Sequence, residues 1–257
     1  MRTKGVGIFV LISVVAIAQE NQPWSPSPRA QDGGVREVLE SIVIPPIPNA
    51  PFSATLDTEW VKYTADGASI TLVNERHIAR DGRGRIYEER WWLVPKNSNV
   101  KSEMNWIQIA DPKQRTLYNC SPQKHTCDLL LYDPAGDLTA AAPINPTQSA
   151  RTNARGDVAT ENLGTRNIAG VDTVGVRVTT TMNPGTMGND QPLTAIREYW
   201  HSQELGINLL SIRSGPMIGK QTFTVTELTS AEPDLQLFEV PAGYRVNDQR
   251  KNSPVSQ

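Results

Sequence analysis

Between residues 51 and 132, apolar and polar positions alternate in short runs broken by glycine, proline and aspartate, the period-two pattern of strands with one buried face. Residues 52–64, 69–80 and 86–94 read as three strands, with Asp66-Gly67 and Asp81-Gly82-Arg83-Gly84 as the turns between them. Runs at 106–110, 115–120 and 127–132 continue this antiparallel meander past the turn Asp111-Pro112. Residues 134–156, with small residues Thr139, Ala140, Ala141 and Ala142 followed by Pro143 and Pro146, interrupt it, as a weak helix or as a loop that crosses one end of the sheet. A second set follows at 161–168, 171–182, 195–201, 207–213 and 220–228; in 171–182, Val174, Val176 and Val178 share one face and Arg177 and Thr179 the other. Residues 183–192 form a loop too long for a tight hairpin, the kind that often carries function. Residues 232–246 close the domain with a short helical turn and an extended Phe238-Glu239-Val240-Pro241. The halves 52–132 and 161–228 share no residue register.

The chain opens differently. Arg2 and Lys4 precede an uncharged apolar run at 5–15 and then Ala16-Ile17-Ala18, a small-x-small cleavage pattern, so residues 1–18 read as a signal peptide. The run is shorter than the about 20 residues a membrane helix needs, and no second such run follows. No cysteine stands near the cleavage site to take a lipid, so the mature chain is expected to be periplasmic or extracellular. Residues 19–50 form a Pro-rich leader, mostly mobile, carrying Pro23, Pro26, Pro28, Pro45, Pro46 and Pro48. Val35, Val38, Leu39 and Ile42 fall at helical spacing there and allow one short helix, ended by Pro45-Pro46. This leaves residues 51–246 as a single antiparallel β domain and 247–257 as a polar, disordered tail.

Composition narrows the function. The formal charge of −2 over 257 residues includes Arg2 and Lys4, so the mature chain lies near −4, with its basic residues scattered. Nucleic acid binding needs a basic stripe, and none is present. Cys120 and Cys127 flank a polar loop containing Ser121-Pro122; in an oxidising compartment a disulfide across this hairpin is the expected state. Loop closure over so short a segment is worth on the order of 2 to 3 kcal/mol. A metal site of both thiolates with His125 lacks a fourth ligand, and the spacing is not that of a Cys-x-x-Cys redox pair.

No nucleophile elbow, zinc-protease helix, nucleotide loop or calcium loop occurs. His77 and His201 fall in strands and His125 in the disulfide loop, which reads as three surface or edge residues with no catalytic constellation. Glu88 and Glu89 are adjacent in a strand, so they point to opposite faces and cannot work together as acid and base. Arg80, Arg83 and Arg85 read as a solvated hairpin tip, the alternative being an anionic headgroup site. The chain is therefore expected to be non-enzymatic, with no cofactor and no metal. The aromatics are more informative: Trp91 and Trp92, and Tyr199 and Trp200, are consecutive in strands, so rings project from both faces of the sheet. Either both faces are covered by packing, or a curved sheet presents an apolar groove, with these four residues as the candidate ligand-binding set.

Leu163-Gly164-Thr165-Arg166-Asn167-Ile168-Ala169-Gly170-Val171 followed by Gly175-Val176-Arg177-Val178-Thr179, the closing Glu232-Pro233-Asp234-Leu235-Gln236-Leu237-Phe238-Glu239-Val240-Pro241-Ala242-Gly243-Tyr244, and the turn Arg80-Asp81-Gly82-Arg83-Gly84-Arg85 resemble segments of a broad group of uncharacterised exported bacterial proteins. Their strand pattern is similar to the half-barrels of Lol-type lipoprotein carriers. The resemblance spans residues 52–246 and implies a curved antiparallel sheet, closed by helices, that holds acyl chains. Here the only candidates for lid helices lie near Val35 and Ala140, and no binding residue carries over. The expected fold is mainly β: a curved antiparallel sheet, half-barrel or open barrel, with few short helices. The expected function is that of a binding module for an apolar or lipid-like ligand, the alternative being an envelope protein that recognises a protein partner through the 183–192 loop or a sheet edge.

Overall fold

Both strand sets join one sheet. The computed structural model describes residues 39, 41–141, 147 and 149–250; the expected signal peptide, the leader up to residue 38 and the last seven tail residues lie outside them. The first set is β1 (Phe52–Tyr63), β2 (Ser69–Arg80), β3 (Ile86–Trp91), β4 (Val94–Pro95), β5 (Met104–Asp111), β6 (Thr116–Ser121) and β7 (Thr126–Leu131). A short helix α1 (Pro134–Ala140) leads to β8 (Ser149–Asn153), β9 (Gly156–Ile168), β10 (Val171–Met182), β11 (Leu193–Ser202), β12 (Ile207–Gly215) and β13 (Gly219–Thr229). A 3-10 turn, Leu235–Phe238, and β14 (Arg245–Asp248) follow. The 14 strands form one open, curved sheet in the order β14-β7-β6-β5-β3-β2-β1-β13-β12-β11-β10-β9-β8, with β4 paired to β2 off this path.

Each set is a meander, and the seam between them is β1 against β13, with Leu56 opposite Val225, Thr58 opposite Phe223 and Trp60 opposite Gln221. That seam leaves β7 and β8 on opposite wings although they follow one another in the chain. A flat sheet would hold them about 53 Å apart, at about 4.8 Å per strand interval. The connection from Leu131 to Ser149, helical over one part, stretches to about 50 Å at most. Curvature relieves this constraint by drawing the wings toward one another.

The structure departs from the sequence expectation in four places. The run at 86–94 breaks after Trp91, where a bulge at Arg90/Trp91 shifts the register with β5. The stretch 134–156 holds both a helix and a strand; Asp133 caps α1 by accepting from the Ala135 N–H, and Pro134 occupies its first turn. Asn247 and Asp248, assigned above to the disordered tail, belong to β14, which runs parallel to β7. There the Arg245 N–H donates to His125 O and the Gln249 N–H to Leu129 O, so the open edge of β7 is paired through backbone groups whatever the side chains. The leader is also partly structured. Leu39 and Ile42 carry no helix, Val35 and Val38 lie outside the described residues, and Ile42 and Ile44 are buried in the main core.

Two cores result among the described residues. The larger packs Phe52, Leu56, Ile78, Ile207, Leu209, Phe223 and Val225 with Ile42 and Ile44 on one face of the sheet, and also takes in Trp200 and Leu210, which alternate to the other. The smaller lies across β2, β3, β5, β6 and β7, where Ala79, Tyr87, Ile107 and Ile109 surround the bonded Cys120 and Cys127 and are covered by Phe238. Covering segments on both faces thus account for a sheet that carries large apolar side chains on each. No helix among the described residues is long and apolar enough to cross a membrane.

Candidate functional site

A cavity of about 950 Å³ occupies the face of the sheet on which Phe223 packs with Ile42 and Ile44. Its lining comes from both wings, from Thr58, Arg76, Glu88, Gln108 and Leu117 on one side and Arg197, Tyr199, Ser211 and Arg213 on the other, so this is the concave face. The register arranges the lining in rows across the strands. One row runs Tyr199, Ser211, Phe223, Thr58, Asn74, and the next contributes Arg197 and Arg213 before it continues outside the cavity as Gln221, Trp60 and Leu72. Leu39, Ser41 and Ile42 to Ile44 border it from the leader, and Tyr132, Asp133, Asp137 and Ala140 border it from the α1 region.

The leader is clamped here by two arginines. Arg76 donates to Glu89 O and to Ser41 Oγ. Arg80, 0 % exposed, donates to the carbonyls of Pro45, Ala50 and Leu205. Burial pulls both guanidiniums down to about 10, so both stay charged at neutral pH. Close backbone passage adds to the clamp: Gly84, at φ +82°, lies where a Cβ would come within 2.9 Å of Pro46 O.

The floor is charged. Glu88 lies between Arg76 at 3.7 Å and Arg90 at 2.5 Å, and Arg90 also donates to Gln108 Oε1. Asn74 donates to Trp91 O, which fixes its amide, while its buried Oδ1 has no hydrogen-bond partner among the described residues. Tyr132 donates to Asp137, and burial followed by that carboxylate pushes its hydroxyl far above the ordinary phenol range. The cavity expected to be apolar is therefore mixed, with Ile42, Ile44, Ile86, Leu117 and Phe223 beside a charged triad.

Of the four aromatic candidates, Trp91 and Tyr199 border the cavity; Trp92 and Trp200 do not. Trp92 is 57 % exposed, and Trp200 packs into the larger core. The Trp91 indole donates to Glu89 Oε2, and Glu89 also accepts from the Tyr87 hydroxyl and the His77 N–H. Glu88 and Glu89 thus serve opposite faces, as strand alternation requires. The arginine turn is a correction to the solvated hairpin tip: only Arg83 is exposed. Arg80 is buried in the leader clamp, and Arg85 pairs with the buried Asp81 at 2.7 Å and lies over Phe238. Asp81 also accepts from the Arg83 and Arg85 amides, so the turn is a structural knot. His201 is likewise buried, against Asn208, with its pKa lowered by burial, whereas the sequence placed it at a surface or edge. The 183–192 loop is organised by Asn189, whose Nδ2 donates to Asn183 O and Gln191 O, and is tied to the 154–155 turn by Thr186 Oγ1 donating to Arg155 O.

The cavity arginines Arg76, Arg90, Arg197 and Arg213 escaped the sequence reading because they are scattered through four strands. Alternation assigns a face, but which strands converge depends on the seam and the curvature.

No family model and no curated protein matches the chain. Among solved structures, the MucA/MucB complex of Pseudomonas aeruginosa is similar at 15 % identity and a TM-score of 0.37, covering 77 % of this chain and 58 % of that one. The chain thus spans less than two thirds of that structure's length. Lipoprotein LppX of Mycobacterium tuberculosis is similar at 12 % identity and a TM-score of 0.29, covering 70 % of this chain and 88 % of that one. LprF from Mycobacterium bovis is similar at 11 % identity and a TM-score of 0.32, covering 76 % of this chain and 90 % of that one.

Proposed function

We propose that this chain is a non-catalytic binding module of the periplasm or the extracellular space, and that an amphiphilic ligand occupies its concave cavity. The observation that carries the reading is a cavity of about 950 Å³ with aliphatic walls and a charged, hydrogen-bonding floor. Ligand pockets typically fall in the range of about 300–1,000 Å³. A pure hydrocarbon would leave Asn74 Oδ1 and the Arg76–Glu88–Arg90 triad facing apolar atoms, which is costly. A ligand with a chain and a polar group suits both parts. Native mass spectrometry of the mature protein from its own envelope fraction, followed by lipid extraction, tests this. A co-purifying amphiphile is the expected result; a clean apo mass together with no binding of added amphiphiles overturns it.

A second reading is a protein partner that adds a strand to β8, since all five residues of Ser149–Asn153 are exposed at the sheet edge. Its signature is a stoichiometric protein complex in the same envelope fraction, with the cavity empty.

A further inference from the structure

A smaller cavity of about 270 Å³ opens beside the larger one, over β3, β5, β6 and β7, and shares Arg90 and Gln108 with it. The register sets Glu88, Gln108, Asn119, Asp128 and Asn247 opposite one another in turn, an unbroken polar row across five strands. The inner face of an antiparallel sheet ordinarily packs apolar side chains, so this row is a departure. Hydrogen bonds order it from both ends. Arg90 Nε donates to Gln108 Oε1, and Gln108 Nε2 donates to Asn119 Oδ1. At the far end Asn247 Nδ2 donates to Asp128 Oδ1. With its carbonyl engaged by Gln108, Asn119 offers its Nδ2 as a donor, and Asp128 offers acceptors beside it. Trp106, the register partner of Arg90 and 37 % exposed, supplies apolar lining together with Leu130.

We propose that this smaller cavity binds one neutral sugar ring, which stacks a C–H face on Trp106 and shares its hydroxyls among Arg90, Asn119 and Asp128. A pyranose carries adjacent hydroxyls, each both donor and acceptor, and a flat face of C–H groups. The cavity supplies the complement: planar side chains that donate, Arg90 and Asn119, beside one that accepts, Asp128, and an indole whose face carries partial negative charge. An anion here would meet Asp128 and a cation would meet Arg90; a neutral ring meets neither cost. The amides are held in place by the hydrogen bonds along the row, so little side-chain freedom is lost on binding. The size fits one ring, lying just below the about 300–1,000 Å³ of sites for drug-sized ligands. A free saccharide and a glycolipid headgroup share this chemistry; in the second case the chain enters the larger cavity past Arg90 and Gln108.

The test uses the full mature chain on an array of neutral saccharides covering the common pentoses, hexoses and N-acetylhexosamines. Each hit is then titrated by calorimetry as its methyl and its octyl glycoside, the octyl form kept monomeric. At least one saccharide is expected to bind. Trp106→Ala, at an exposed position and so compatible with the fold, is expected to weaken it by about tenfold, the upper end of what one aromatic contact contributes. Asp128→Asn keeps the shape, replaces an acceptor by a donor, and is expected to change which saccharide is preferred. Trp92→Ala, whose ring is exposed and lines neither cavity, is expected to leave affinity unchanged. A purely structural Trp106 would lower the thermal midpoint without moving affinity, which overturns the site. No binding of any neutral saccharide, or binding that W106A and D128N leave intact, overturns it as well and leaves the proposed function standing. Equal affinity for the two glycosides supports the site with a free saccharide as its ligand. Tighter binding of the octyl form, still weakened by W106A, supports it with a glycolipid headgroup; octyl binding that W106A leaves unchanged places the ligand in the larger cavity alone and overturns the sugar site.

Discussion

Gly175 and Trp200 are register partners across β10 and β11, and the indole ring lies 2.7–2.8 Å from where a Cβ on Gly175 would stand. The ring has little freedom to move. Its Nε1 donates to Glu198 Oε1, Arg166 lies over its face at 5.5 Å, and it is 8 % exposed. A methyl group at position 175 would have to displace a packed aromatic. Gly175→Ala is therefore expected to lower stability by about 1–3 kcal/mol, the usual cost of overpacking. Urea unfolding should show a lower midpoint at unchanged slope; a midpoint equal to wild type would show that the ring yields freely.

Arg80 clamps the leader to the sheet. Arg80→Met removes the donor to the carbonyls of Ala50 and Leu205, while Pro45 O keeps the Ile47 N–H, and each buried unsatisfied group costs about 1–3 kcal/mol. A total loss of at least about 2 kcal/mol is expected on that scale. Amide exchange at Ile47 and Asn49, which donate to Pro45 O and Gly82 O, should accelerate ahead of global unfolding. Arg80→Lys keeps the charge without the planar fork and should recover less than half of the loss. Unchanged exchange at these two amides in R80M would sink the clamp.

Asp57 carries a pH dependence of stability. Its carboxyl is raised above the ordinary value by desolvation, then by Glu75 opposite it and by Glu227. The folded chain thus holds this proton to higher pH than the unfolded chain does. The penalty is absent below the ordinary carboxylate range and grows as pH rises through the raised value. Asp57→Asn should therefore raise the thermal midpoint at pH 7 and leave it unchanged at pH 3. A gain of equal size at both pH values would assign the effect to something other than charge.

The Cys120–Cys127 bond closes a loop with a sequence separation of 7. Replacing both cysteines by serine should cost on the order of 2 to 3 kcal/mol from loop closure, with a further loss because the buried pair belongs to the smaller core. Comparing unfolding of the double variant with that of reduced wild type separates the two contributions. Equal stabilities would mean that the serines pack as well as the thiols.

The amino-acid sequence by itself determined the strands. Alternation and turn residues are local signals, and they place β2 at Ser69–Arg80 and β10 at Val171–Met182 with the bounds that the structure has. They also placed Cys120 and Cys127 across one hairpin and set Glu88 and Glu89 on opposite faces. What only the tertiary structure decided is partnership over distance. The β1–β13 seam, the parallel docking of β14 on β7 and the return of the leader across the concave face are made largely by backbone groups, which every residue but proline offers alike. Hence Arg80 and Arg85, polar by composition, are buried, and Asn247 and Asp248, polar tail residues by pattern, lie in a strand. Arg197 and Arg213 stand sixteen positions apart in the chain, and period-two patterning says only that each has a face. Their meeting at one cavity wall follows from the β11–β12 register and from a curved sheet that carries β12 round toward β2 and β3.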